Sequence, residues 1–183
     1  LVKKSGWILL AVSCMALTAL VIGWPTAEAT TTSGDPVLVA HTWTAQDHSF
    51  EGGRTACRRC HIKQYRSWEA TPHATALETL PEENRSDPAC LKCHTTGYGA
   101  ATGFTSVADT PNLAGVTCEA CHGPGSDYKD RETMQDREAS IAAGLVIPNE
   151  ETCTGCHNAE SPTFPGSFNY EEMKAAGVHE IGG

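Results

Sequence analysis

The chain has 183 residues, with 13 Lys and Arg against 22 Asp and Glu, a formal net charge of −9. That length is one domain's worth, and the acidic balance speaks against nucleic-acid binding, which wants a basic face. Nine cysteines call for a use, and their spacing supplies one.

Lys3 and Lys4 precede an apolar run over 7–22 that ends in Trp24-Pro25-Thr26 and Ala27-Glu28-Ala29, an A-x-A cleavage pattern. Residues 1–29 read as a secretory signal peptide cut after Ala29, and the run is short for a membrane anchor. Cys14 lies inside the run and leaves with it. Lys3, Lys4 and Glu28 leave too, so the mature chain, 30–183, carries 11 Lys and Arg against 21 Asp and Glu, net −10. No membrane span is expected after the signal. The product is read as exported, periplasmic or extracellular.

Residues 30–53 are a polar lead without a clear period, read as an N-terminal arm that carries His41 and His48. The rest, 54–183, reads as one folded domain. A helix is predicted over 57–70, starting on Cys57-Arg-Arg-Cys60-His61, with Tyr65 and Trp68 on one turn and Pro72 ending it. A loop over 81–88 leads to Cys90-Leu-Lys-Cys93-His94. The stretch 95–115 is rich in Gly and Thr and irregular, with a short strand pair expected near 104–107. After Cys118-Glu-Ala-Cys121-His122 comes the strongest helix, 126–143, with Ser126 as N-cap, Asp127 in the first turn and Gly144 as C-cap. Cys153-Thr-Gly-Cys156-His157 precedes a Pro-rich loop over 161–166. A short helix over 169–176 is stopped by Gly177, and His179 follows.

The spacing C-x-x-C-H thus occurs four times, where composition alone gives about 0.02 matches. It is the attachment signal for c-type haem. On one helical turn, residues i, i+3 and i+4 share a face, so two thiols bond the vinyl groups while the adjacent imidazole reaches the iron. Zinc or disulfides also use cysteine pairs, but neither requires a His after every second Cys. The reading is four covalently bound c-type haems. The thioethers come from Cys57, Cys60, Cys90, Cys93, Cys118, Cys121, Cys153 and Cys156, and the proximal imidazoles from His61, His94, His122 and His157. With so many haems in 154 residues, the haems themselves form the core. The fold class is mainly α with much irregular structure, a compact multihaem cytochrome c built on four stacked haems.

The sixth position of each iron separates a carrier from a catalyst: a second His or Met closes it, and an open position binds small molecules. Four histidines remain: His41, His48, His73 and His179. Met134 and Met173 are possible substitutes.

The chain resembles the tetrahaem cytochrome c-554 family. The resemblance rests on Cys57–His61 with Tyr65, Trp68 and Thr71-Pro72-His73, and on Cys90–His94 followed by Thr95-Thr96-Gly97-Tyr98-Gly99. It rests also on the run from Gly115 through Cys118-Glu119-Ala120-Cys121-His122 to Gly125, and on Cys153–His157 with a late His179. It implies a mostly helical electron carrier with closely packed haems in stacked pairs. It implies that His73 ligates the fourth haem and His179 the third. It also implies that the second haem can be five-coordinate beneath a Thr/Pro/Phe loop, for which Thr163, Phe164 and Pro165 are a loose match. The family carries a His shortly after C-H-G-P-G as ligand of the first haem; here Tyr128 stands in that stretch. The alternatives are His41 or His48 from the arm, Tyr128 as phenolate, or an open position.

Three functions follow. The leading one is transfer of electrons between redox partner proteins, other multihaem cytochromes among them, through mostly bis-His haems. The second is a self-polymer, an extracellular filament in which one chain's His ligates a haem of the next. The third is an enzyme reducing a small nitrogen oxide at an open haem. The enzyme ranks last because no convergent polar constellation is apparent, and Glu119 reads as a surface or shape-giving residue rather than a proton donor.

Overall fold

The computed structural model describes residues 48–179. Within them lie seven short α-helices joined by turns and irregular segments. They are α1 (Ile62–Glu69), α2 (Pro88–His94), α3 (Cys118–His122), α4 (Arg131–Met134), α5 (Arg137–Ala142), α6 (Glu150–Thr154) and α7 (Tyr170–Gly177). No helix among the described residues is long and apolar enough to cross a membrane. The mainly helical, irregular class expected from the sequence is what the chain adopts.

The helices stop for local reasons. The 57–70 segment splits into a single 3-10 turn, Cys57–Arg59, and α1, because His61 has non-helical backbone angles. The chain leaves α1 at Ala70, ahead of Pro72, as the proline demands. α2 is capped by Asp87, whose carboxylate accepts from Ala89 N, with Pro88 in the first turn.

The helix expected over 126–143 is instead two pieces. Asp136 accepts from the backbone N–H groups of Glu138 and Ala139 and so starts α5 anew. Ser126, expected as the cap, accepts from Ser49 N instead. α7 matches the reading: Asn169 caps it through Glu172 N. The strand pair near 104–107 does not form. Among the described residues the stretch 95–115 contributes one isolated bridge, Thr95 to Ala114.

A small apolar core does exist, made of Phe50, Leu77, Leu91, Phe104, Leu113 and Ala114. It sits beside α2 and anchors the loop that precedes α3. Gly97 is needed there: at φ 71° a Cβ would strike the Phe50 ring at 2.5 Å. The loop is then locked by two buried threonines. The Thr96 hydroxyl donates to Gly115 O at 2.9 Å, accepts from Thr117 N and meets the Thr117 hydroxyl at 2.9 Å. The third motif is therefore set on a hydrogen-bonded base at Thr117, the residue before its first cysteine.

Candidate functional site

Each C-x-x-C-H forms one tight turn. In α2 and α3 the whole motif lies in the helix. In the first and fourth motifs the His N–H bonds the first Cys carbonyl, His61 to Cys57 at 3.0 Å and His157 to Cys153 at 2.9 Å. All eight motif cysteines are free thiols, with none in a disulfide. Among the described residues no cluster of three or more His, Cys, Asp or Glu is gathered to hold a bare metal ion.

The motifs abut one another. The thiols of Cys57 and Cys118 share a hydrogen bond, as do those of Cys93 and Cys156. The first bond and burial push the Cys57 thiol up, and the second holds the Cys93 thiol at about 6. Burial raises the Cys121 thiol to about 11, with Cys153 close enough to add to it. First meets third and fourth meets second, and the third lies near enough to the fourth for Cys121 to sense Cys153.

Two imidazoles from outside the motifs come to two inside them. The ring of His73 lies 5.9 Å from that of His157, centre to centre, at 70°. His179 lies 6.0 Å from His122, at 23°. Metal–imidazole bonds of about 2 Å on each side of a metal put two rings roughly 6 Å apart. The spacing fits a metal held between them, and the free thiols beside them fit a covalently attached haem.

The surroundings orient these rings. His122 Nδ1 donates to Val146 O at 3.1 Å, and His94 Nδ1 donates to Ala76 O at 2.6 Å. A carbonyl only accepts, so each ring carries its proton on Nδ1 and leaves the Nε2 lone pair able to bind a metal. Burial lowers the His122 pKa, and the neighbouring His179 and His61 add to this against the pull of Val146 O. Burial and then His73 lower the His157 pKa. Both effects favour the neutral imidazole that ligates a metal. Phe168 stacks on His157 at 5.3 Å, in a cleft of ≈ 230 Å³ that Phe164, Pro165, Glu172 and Met173 also line. Phe164 and Pro165 thus border the histidine of the fourth motif.

His73 is fixed through its backbone. Val116 N donates to His73 O at 3.0 Å, and Arg54 Nη2 donates to the adjoining Ala74 O at 2.5 Å and to Ala114 O at 2.7 Å. Gly115 makes this approach possible: at φ 85° it sits where a Cβ would lie 2.8 Å from Ala74 O. Trp68, buried under Arg54, donates its Nε1 proton to Val116 O at 2.9 Å.

The remaining site residues are placed differently. His41 lies outside the described residues. His48 is held by Asp127, Nδ1 to Oδ2 at 2.9 Å. Among the described residues no ring contact joins His61 or His94 to another histidine as His73 joins His157. Tyr128 is buried, and its hydroxyl donates to Gly123 O at 2.7 Å, with His122 O at 3.1 Å. Burial pushes its ionisation above the ordinary tyrosine value, with Cys57 and Glu119 next in effect. That is the setting of a protonated phenol.

Of the two readings of Glu119, surface or shape-giving, the second holds. It is 1% exposed, not a surface residue. Oε1 accepts from Glu51 N and Gly125 N, both at 2.8 Å, and Oε2 from Gly53 N at 2.6 Å. One buried carboxylate thus ties the stretch before the first motif to the third. A Glu inside C-x-x-C, beside glycines that free nearby N–H groups for close approach, was the available signal.

Comparison with known proteins accords with the geometry. Residues 56–123, which span the first three motifs, match the family "Cytochrome c554 and c-prime". Cytochrome c-554 of Nitrosomonas europaea is 33% identical over 152 aligned residues, covering 67% of this chain and 64% of that protein. The chain therefore spans just under two thirds of that relative's length. The solved structure of reduced cytochrome c554 from Nitrosomonas europaea superposes with a TM-score of 0.61 at 29% identity, covering 73% of this chain and 86% of that one.

Proposed function

We propose that this chain, which resembles the cytochrome c-554 family in sequence and in fold, is an exported tetrahaem cytochrome that carries electrons between redox partner proteins. The observation that carries the proposal is the pair of imidazole couples, His73 with His157 and His122 with His179, at 5.9 and 6.0 Å. Bound haem supplies the one-electron chemistry. The chain supplies attachment, ligands and spacing. Each motif turn presents two thiols and one imidazole. His73 and His179 serve as distal ligands of the fourth and third haems. The nearness of first motif to third, third to fourth and fourth to second makes a continuous chain of attachment sites.

For the first haem we assign the sixth position to the arm, through His41 or His48. Two contacts support His48. Ser49 N donates to Ser126 Oγ at 2.9 Å, which brings His48 to the 126–128 stretch, where the family's ligand is missing. Its bond to Asp127 leaves Nε2 over, the arrangement that orients metal-binding imidazoles. Supplied from a neighbouring chain, the same histidines would instead build a filament.

The test is the electron paramagnetic resonance spectrum of the oxidised protein beside carbon monoxide binding to the reduced form, at a measured four haems per chain. Low-spin signals at the haems of His122 and His157, with no carbon monoxide bound there, are expected. Replacement of His41 and His48 together should turn one haem high-spin, and a filament should also dissociate. The enzymatic reading is the alternative, with the second haem, on His94, open. Carbon monoxide bound at the second haem, with turnover of a small nitrogen oxide, would move that reading forward.

A further inference from the structure

The first motif differs from the other three in its surface. Cys57–Arg59 and His61 lead directly into α1. Around them the charge reverses. Residues 53–68 hold five cations and no Asp or Glu, while the rest of the mature chain holds six cations against 21 acids.

Arg54 is turned inward onto main-chain carbonyls. Arg58, Arg59, Lys63 and Arg66 are all exposed. The Arg58 guanidinium rests over the Tyr65 ring at 5.2 Å, which holds it at the surface with part of its freedom already lost. The acid that follows, Glu69, accepts from the Tyr65 hydroxyl at 3.0 Å. In the middle lies Ile62, 39% exposed. An apolar centre ringed by cations, beside a haem attachment motif, is the form of a small electrostatically guided interface.

We infer that the face made by Cys57–Arg59 and α1 is the docking surface for an acidic redox protein, which exchanges electrons with this chain at the first haem. The inference rests on the carrier function proposed above. The sign of the charge is what makes it specific. A net charge of −10 repels an acidic partner, so a partner meeting the molecule at random would bind faster as salt rises. Charges more than about 10 Å away are largely screened above 0.1 M ionic strength. In that range the cations at the contact govern the rate, which then falls as salt rises. Four exposed cations against a predominantly acidic remainder also suit a protein partner better than a nucleic acid or an anionic bilayer, either of which would spread over the acidic surface.

The experiment is stopped-flow reduction of the holoprotein by reduced flavodoxin, an acidic one-electron donor, at 0.1–0.5 M salt. Photoreduced lumiflavin, small and neutral, is run in parallel. Flavodoxin binding to the oxidised protein is measured by calorimetry at the same salts. The flavodoxin rate should fall with salt, and Lys63→Glu with Arg66→Glu should lower it about tenfold at 0.1 M, with a matching loss of binding. Arg58→Glu with Arg59→Glu should do the same. Since that pair lies inside the attachment motif, the α1 pair, at full haem content, decides if it fails to mature. Arg137→Glu, exposed on α5, should change little, and lumiflavin should reduce every variant at the parental rate.

A flavodoxin rate that rises with salt, that ignores the α1 pair, or that is absent while lumiflavin reacts would overturn the docking surface and leave the carrier intact. Loss of binding to phosphatidylserine vesicles in the α1 pair, with flavodoxin unaffected, would overturn it in favour of a membrane contact. Failure of both donors to reduce the haems would overturn the carrier reading itself.

Discussion

Replacement of Glu119 by Gln tests the joint between the first and third motifs. The side chain keeps its length and loses one acceptor. The amide oxygen can still serve Glu51 N and Gly125 N, but the amide nitrogen then faces Gly53 N, donor against donor, where the carboxylate accepted at 2.6 Å. A hydrogen bond to a charged group is worth about 1.5–3 kcal/mol and a neutral one about 0.5–1.5. One such bond is lost and two are weakened, while the burial cost of the charge is relieved. The net is a loss of about 2–4 kcal/mol, set against a typical total of about 5–15. With a urea slope of about 1–3 kcal/mol per molar, the midpoint should drop by roughly 1–2 M. The assay is urea unfolding of the holoprotein at pH 7, followed by far-ultraviolet circular dichroism, with hydrogen exchange read over 49–55 and 119–126. Exchange at Gly53 should rise more than at Gly125. A midpoint moved by less than about 0.3 M, with Gly53 still protected, would refute the clamp.

Two further substitutions probe the ligand assignments. Tyr128→Phe removes the hydroxyl bonded to Gly123 O but leaves the ring in place; stability should fall by about 1 kcal/mol and the haem spectra should stay unchanged, whereas a new high-spin signal would make Tyr128 a ligand after all. The raised Tyr128 pKa sets a sign as well: its contribution is fully present below the ordinary tyrosine value of about 10 and is lost as pH climbs through the folded value, so the parent and Tyr128→Phe should converge in stability at high pH. His73→Met should raise one haem's potential and keep haem content at four, and potentials that do not move would remove His73 from the fourth haem.

The sequence exposed what is written in adjacent residues and concealed what is written between distant ones. A haem attachment site needs two thiols and an imidazole on one turn, so four sites can be read from spacing. α7 was readable because Asn169 and Gly177 mark it locally. Asp136 was an equally local signal, a cap in mid-segment, and the uniform polarity around it hid a break between two helices. The placement of His73 depends on Arg54, Gly115 and Val116, which lie 19 to 43 residues away in the chain. No local pattern reveals that, and the expectation for His73 came from resemblance alone.

The case of Glu119 shows why such residues escape. A carboxylate between two haem-bonding cysteines has two outcomes of similar appearance in sequence, solvated or buried, and the choice depends on donors 66 and 68 residues earlier. Those donors lie in the stretch read as a free arm. Yet Phe50 enters the core, Glu51 and Gly53 donate to Glu119, and Lys129 meets Glu51 at 2.5 Å. The segment just ahead of the first motif is therefore part of the third motif's foundation. Any histidine it delivers arrives already anchored at 49–53, so a ligand from the arm to the first haem needs only the few residues beyond Ser49 to be placed. That shortness makes His48, rather than a distant segment, the first residue to replace alone.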